Sequence, residues 1–496
     1  MTGRAAAALA IWRARNVRTR GDRAFLVYMS LMVALVTVAP VARAVWLSAS
    51  SAEGIAMFAS AAAPGVAVFV VSGLWAGALL LGRDRGPALL PPFPTHALAS
   101  ADLPRGDAFR RPVLLGGAVV SALTTLVVGF AGASLMSAGL TPPLGAAVFI
   151  AAGALAGAVA TVAWLAGQAF PRAGIPVALG ILALGVTTAI VPDLRPFMPW
   201  GWIGLAYPGG SPYALAALAA LTALLIAAVP ALMSRLTASE LVAQSVRWDS
   251  ATGHATGMDF GAAVTLYRAR PRRGRRLSAV RGLRRLPLIF LIRDAIGAVR
   301  TPGRLIVGVL ALAAAGALLT LAFAPTAPGW VLGAAAGLIV FAGLGPLTDG
   351  IRHAASVAAD LPLYGIGDGQ LLAGHTRFPL AVTIVVLVVA VLVCSVVTGV
   401  GAGAPIVSAL AVGVLALVAR VGNALKGPLP SVLLTPIPTP MGDLGAAVRF
   451  AWAVDGMLFA ALAGAAAALA FESPLLLLGV TLPLVGVGVH RWRNRG

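Results

Sequence analysis

FPLAVTIVVLVVAVLVCSVVTGV, residues 378–400, contains no charged side chain. A helix needs about 20 mostly apolar residues to cross the hydrocarbon core of a bilayer, and this stretch supplies them. In lipid only helices and closed barrels pair all their backbone N–H and C=O groups. The stretch lacks the apolar/polar alternation of a barrel strand, so it reads as a helix. Working outward, runs of the same kind recur along the chain. They predict twelve spans, near 24–47, 57–82, 113–136, 143–168, 175–192, 213–233, 304–324, 330–348, 378–400, 405–423, 450–470 and 474–490.

Composition agrees. Of the 496 residues 59% are hydrophobic and 10% charged, with a mean hydropathy of +0.95, whereas a water-soluble chain carries about 25% charged residues. The net charge of +20 would point to nucleic acid on a soluble protein. Here the basic residues flank apolar runs, which makes them cytoplasmic loops near anionic headgroups, with no nucleic-acid partner. With the N-terminus inside, only Arg43 and Arg195 of the 36 Lys and Arg fall outside. Both termini are therefore expected in the cytoplasm and the protein in the cell (plasma) membrane. The single cysteine, Cys394, excludes an intrachain disulfide.

The chain divides into a first transmembrane half (1–236), a basic cytoplasmic linker (237–285) and a second transmembrane half (286–496). The linker holds RARPRRGRRLSAVRGLRR (268–285), a solvated topology anchor, and small polar residues at Ser250–Gly257 predict an irregular stretch. VRTRG (17–21) before the first span is echoed by VRTPG (299–303) before the seventh, and LLPPFPT (89–95) by LLTPIPT (433–439). The offsets of the two pairs differ, so the halves are pseudo-repeated rather than a simple duplication.

No motif carries an enzyme's chemistry. The sole lysine, Lys426 in GNALKGP, lacks the glycine-rich turn of a P-loop, so the chain is not expected to hydrolyse ATP. His96, His254, His353, His375 and His490 are scattered without ligand spacing and read as interfacial loop residues, so no catalytic or metal site is expected.

Other segments are patterned. Ile289, Ile292, Ile296 and Val299 recur at helical spacing before the seventh span, with Arg293, Asp294 and Arg300 as polar neighbours, which suits a helix in the headgroup plane. Leu9, Trp12, Arg13, Arg15 and Arg18 form a less regular N-terminal counterpart. The inner loop 82–111 is too long for a mere connector: Pro87, Pro91, Pro92 and Pro94 stop the exiting helix, and Thr95 is placed to cap a short helix over His96–Leu103. In the loop 349–377, Asp360, Tyr364, Asp368 and Gln370 stand out among apolar residues. Long patterned loops of this kind suit docking to a soluble partner. Asp455 lies within an apolar run, where a carboxylate is costly and marks function, or pairs near the inner interface. Outside, PFMPWGWIGLAYPGG (196–210) brings Trp200 and Trp202 to the interface, either as an aromatic belt or as a re-entrant helix gating an exit.

Taken together, the basic leading segment before each half, the patterned loop after each half's second span and the aromatic outer segment resemble the permease of an ABC exporter of the ABC-2 type, with two six-span halves fused. LLPPFPTHALASADL (89–103) is similar to that family's leucine-pair-then-proline stretch. The resemblance implies cytoplasmic ABC ATPase subunits, in two copies, which bind ATP and Mg while this chain binds no cofactor. It further implies that these subunits contact 84–103 and 360–375, with Asp84, Leu89, Leu90, Pro92, Pro94, Asp102, Asp360, Tyr364, Asp368 and Gln370 in the coupling loops. Asp455, Trp200 and Trp202 would then line the path or gate of a hydrophobic or amphipathic substrate. The pattern departs in the second half, which has only FES (471–473) in place of the outer segment and its proline motif after the tenth span. A secondary transporter of the major facilitator type shares the span count, and GRDRG (82–86) is similar to its signature, but its loop there is short and its spans carry charges. A membrane-embedded lipid-processing enzyme calls for acidic outer loops, where only Glu53, Asp193 and Glu472 fall.

Overall fold

The computed structural model describes residues 7, 10–12, 14, 15, 19–101, 103–268, 274, 277, 285–325, 327–357, 365–427, 429–435, 437–439 and 442–494. Asp102, Asp360 and Tyr364 lie outside the described residues, as do Leu9, Arg13, Arg18 and most of the basic run 268–285. Among the described residues the chain is helical, and the one strand pairing joins Pro438–Thr439 to Gly442–Asp443. Two compact units divide it, Met1–Gly253 and His254–Gly496.

The main helices of the first unit are α1 (Arg20–Ala49), α2 (Ala52–Phe58), α3 (Ala63–Asp84), α4 (Pro92–Ala99), α5 (Arg110–Ser137), α6 (Pro143–Ala169), α7 (Gly174–Ile190), α8 (Gly201–Ala206), α9 (Pro212–Ser234) and, running into the second unit, α10 (Ala238–Thr256). The second unit continues with α11 (Leu286–Val299), α12 (Pro302–Leu321), α13 (Gly329–Gly343), α14 (Asp349–Ser356), α15 (Asp368–Thr398), α16 (Gly403–Ala424), α17 (Leu444–Ala468) and α18 (Pro474–Arg493).

Among the described residues ten helices are long and apolar enough to cross a membrane: α1, α3, α5, α6, α9, α12, α15, α16, α17 and α18. The two remaining expected spans, α7 and α13, have 17 and 15 residues. At 1.5 Å per residue they reach roughly 25 and 22 Å, short of a hydrocarbon core of about 30 Å. Large apolar side chains lie bare on the long helices, such as Phe25, Val27 and Leu35 on α1, Leu115 and Leu123 on α5, and Val389 and Val396 on α15. Such apolar surface is solvated by lipid, and the chain is an all-helical multi-pass membrane protein.

Small residues let the helices meet. The backbones of α3 and α6 touch, so that a Cβ added at Gly167 would lie 2.0 Å from the Leu79 carbonyl oxygen. In the second unit Gly333 and Gly337 on α13 face Ala460 and Gly464 on α17, and a Cβ at Gly337 would lie 2.0 Å from the Ala460 oxygen. Four-residue spacing of small residues is how helices pack where lipid removes the hydrophobic drive between them. Within α1, Pro40 lacks the N–H an α-helix needs, and the turn before it widens to a π-helix over Ala34–Val38.

Two expectations are corrected. Ser250–Thr256 is not irregular but continues α10, since small polar residues tolerate a helix already nucleated upstream. The five histidines are all in helices rather than loops, at His96 in α4, His254 in α10, His353 in α14, His375 in α15 and His490 in α18.

Candidate functional site

The chain leaving α3 is gripped by side chains from two other helices of the first unit. Trp164 and Gln168 sit one turn apart at the end of α6, and Gln244, Ser245 and Trp248 line one side of α10. Gln244 Oε1 accepts from the Gly86 N–H at 3.2 Å and from Gln168 Nε2 at 2.9 Å, while Gln244 Nε2 donates to the Arg83 carbonyl at 3.2 Å. Gln168 Oε1 accepts from the Ala88 N–H at 3.2 Å. Trp164 Nε1 donates to the Arg85 carbonyl at 2.6 Å, and the Arg85 guanidinium stacks 3.3 Å over the Trp248 ring. Both glutamines are buried, at 3% and 5% exposure. A loop segment this buried requires partners for its backbone, and the two amides supply both donor and acceptor. Gly86 makes the approach possible, since a Cβ there would lie 1.8 Å from Gln168 Cδ.

Beyond the grip, Ser245 Oγ and Thr95 Oγ1 each donate to the Leu90 carbonyl at 2.7 Å, and Thr95 Oγ1 also accepts from the Leu90 N–H at 3.2 Å. Thr95 is thus inside the short helix rather than its cap: α4 begins at Pro92 and ends at Ala99. The physical reason is that proline at the first helical position presets φ and gives up an N–H that has no partner there. Pro94, Thr95, Leu98 and Ala99 are buried, the leucine and alanine against Phe109, Met233, Leu236 and Leu241, while Phe93 remains 49% exposed. Leu89 and Leu90 are half-buried against the same cluster, and Asp84 ends α3 half-buried. Of the expected residues of this loop, Leu89 and Leu90 pack against one cluster, Pro92 and Pro94 lie in α4 and Asp84 ends α3, while Asp102 is outside the described residues.

In the other loop, Asp368 is the first residue of α15, where a carboxylate is favoured by the helix dipole, and Gln370 follows, exposed. The aromatic segment 196–210 packs against the helices of its own unit. Trp200 is 7% exposed, donates from Nε1 to Thr188 Oγ1 at 3.2 Å and meets the Trp75 ring edge-on at 6.5 Å. Trp202 is half-buried, its Nε1 donating to the Pro196 carbonyl at 2.9 Å. Tyr207 donates to the Phe58 carbonyl and lies T-shaped on Phe149 at 4.9 Å, and burial pushes its hydroxyl up to about 12.

Asp455 on α17 is ion-paired on both sides. Lys426 Nζ lies 2.9 Å from Oδ1, Arg491 donates to Oδ2, and Lys426 also donates to the Trp452 carbonyl and stands 4.1 Å over the Trp452 ring. Arg491 also donates to the Gly422 carbonyl at 3.2 Å, so the cluster ties the ends of α16 and α18 to α17. Burial lowers the Lys426 ammonium below its ordinary value, against the raising effect of Asp455.

A further buried pair joins α11 to α15, with His375 Nδ1 2.8 Å from Asp294 Oδ2 and the His375 ring 4.9 Å from Phe290. The His375 side chain is fully buried and its Nε2 has no hydrogen-bond partner among the described residues. Among the described residues no three His, Cys, Asp or Glu converge as a metal site.

Sequence reasoning missed Gln168, Gln244 and Ser245, and the Asp294–His375 pair. One signal was present: Gln168 is the only amide in the apolar run of α6, one turn after a tryptophan. No protein-family model matches the chain, and no curated protein or solved structure matches it.

Proposed function

We propose that this chain is the membrane-spanning permease of an ATP-driven exporter of the ABC-2 type, moving a hydrophobic or amphipathic substrate outward. In this reading it spans the cell membrane twelve times in two pseudo-repeated six-helix halves, with both termini in the cytoplasm. Apolar residues such as Val191, Leu344 and Leu347 follow the ends of α7 and α13, so in this reading the apolar stretch of each is longer than its helix. ATP and Mg are bound by two separate cytoplasmic ATPase subunits, consistent with a sequence that has no P-loop.

One observation carries the reading: the anchored helix α4 directly after the second long helix of the first unit. Its base is held by Gln168, Gln244, Ser245 and Thr95, and its outer side offers Phe93. A rigid short helix with an exposed aromatic residue is the form of a docking element, because hot spots at protein interfaces are enriched in aromatic side chains. A push on α4 would reach α6 through Gln168 and α10 through Gln244. An ATPase that binds two states of the permease with different affinity thereby shifts the population between them. The scarcity of charge within the long helices favours an apolar or amphipathic cargo over an ion.

The test is co-expression with candidate P-loop ATPases, followed by co-purification and measurement of ATP hydrolysis. Phe93→Asp, at the exposed side of α4, should abolish binding and stimulation while the chain still folds, and replacing residues 89–95 should abolish them as well. Binding and stimulation that survive both changes would remove the docking role of α4 and, with it, the support for this function.

A further inference from the structure

A cluster in the second unit is unexplained by the docking loop. Asp349, the first residue of α14, is surrounded by three guanidinium groups. Arg304, in the first turn of α12, takes both carboxylate oxygens, with Nη1 2.9 Å from Oδ2 and Nη2 3.4 Å from Oδ1. Arg352, one turn along α14, has Nη1 3.5 Å from Oδ1, and Arg268 has Nη1 3.6 Å from the same oxygen. The other carboxylate close by, Asp294, is engaged by His375 at 2.8 Å. Each guanidinium carries five N–H donors, and one carboxylate with about four lone-pair sites leaves most of them over. The positive charge is likewise in excess.

We propose that Arg268, Arg304 and Arg352 form a binding site for the phosphate of an anionic phospholipid headgroup. Depth supports this occupant. α12 has 20 residues, about 30 Å at 1.5 Å per residue, so its first turn stands at the headgroup layer whichever side it faces. The three side chains are 26–32% exposed and so reach a ligand while their stems stay packed. All three are arginine, whose planar fork matches phosphate oxygens in pairs where lysine offers a point charge. The sequence after Arg268 continues with Arg270, Arg272, Arg273, Arg275 and Arg276, which adds to the pull on anionic lipid. Asp349 then competes with the phosphate for the three guanidiniums and sets the residual charge that the phosphate neutralises. The proposal rests on the multi-pass architecture and not on the transport reading.

The experiment uses the full chain in nanodiscs of mixed phosphatidylcholine and phosphatidylglycerol, with bound lipid counted by native mass spectrometry after extraction. Wild type should retain phosphatidylglycerol selectively. Arg268→Gln with Arg352→Gln, which spares the Arg304–Asp349 bridge, should lower that retention on the order of tenfold and leave phosphatidylcholine unchanged. Asp349→Asn removes the competing carboxylate and should raise retention, an increase that misfolding would not produce. Retention unchanged in both variants, or lowered in Asp349→Asn, overturns the site. Displacement of the lipid by millimolar inorganic phosphate would assign the cluster to a soluble phosphate and overturn the lipid as its occupant.

Discussion

Gln244→Ala strikes the grip on the loop after α3 at its centre. The substitution removes the acceptor shared by the Gly86 N–H and Gln168 Nε2 and the donor to the Arg83 carbonyl, three hydrogen bonds in all. Each contributes about 1 kcal/mol net, and a buried N–H left unpaired costs roughly 1–3 kcal/mol more. Water reaching the rim of the site recovers part of this, leaving a loss of about 3 kcal/mol in local anchoring. At about 1.4 kcal/mol per factor of ten, local opening becomes on the order of a hundredfold more frequent. Hydrogen–deuterium exchange of a peptide covering 86–100, read by mass spectrometry on the protein in nanodiscs, measures that opening. The amides of the α6 interior serve as the control and should not change. Gln168→Ala should act in the same direction, and the double variant should fall short of the sum because the two side chains share one bond. If the 86–100 peptide exchanges at the wild-type rate in Gln244→Ala, the loop is not held by this pair and the path from α4 to α6 and α10 is wrong.

Gly167→Leu drives a side chain into the α3 backbone, with its Cβ 2.0 Å from the Leu79 oxygen, and should leave no monodisperse protein on size exclusion. Gly180→Ala, where a Cβ would meet nothing within 4 Å, should be tolerated. Asp455→Asn leaves Lys426 and Arg491 facing each other without their counter-charge and should lower stability by roughly 2–4 kcal/mol in thermal unfolding, with Lys426→Met recovering part of the loss. Lys426 also predicts a pH dependence. Its folded pKa lies below its ordinary 10.5, so the unfolded chain binds more protons between the two values, and stability on its account rises as pH increases through that window. Lys426→Met should remove this rise; a wild-type slope retained in the variant would exclude Lys426 as its source.

The long helices were legible because their signal is local: an uncharged run such as 378–400 has one way to satisfy its backbone in lipid. The sequence shows α7 and α13 as apolar but not their lengths, since apolar residues continue past the helix ends at Val191 and Leu344. The proline-rich loop could be seen, but not that Pro92 starts α4 rather than ending what precedes it. Both readings obey the backbone restrictions of proline, and tertiary contacts at Thr95 and Leu98 decide between them. The partners of Asp455 could not be read at all. Lys426 and Arg491 lie 29 and 36 residues away in sequence, and only the packing of α16, α17 and α18 brings them together. Gln168 and Gln244 are 76 residues apart for the same reason.

The account stands on α4 facing the compartment where an ATPase works. A single reporter cysteine placed by Phe93→Cys, in a chain whose one native cysteine is removed by Cys394→Ser, tests that sidedness with a membrane-impermeant maleimide. The account predicts no labelling in intact cells and full labelling in inside-out vesicles. Labelling of intact cells from the outside would contradict it.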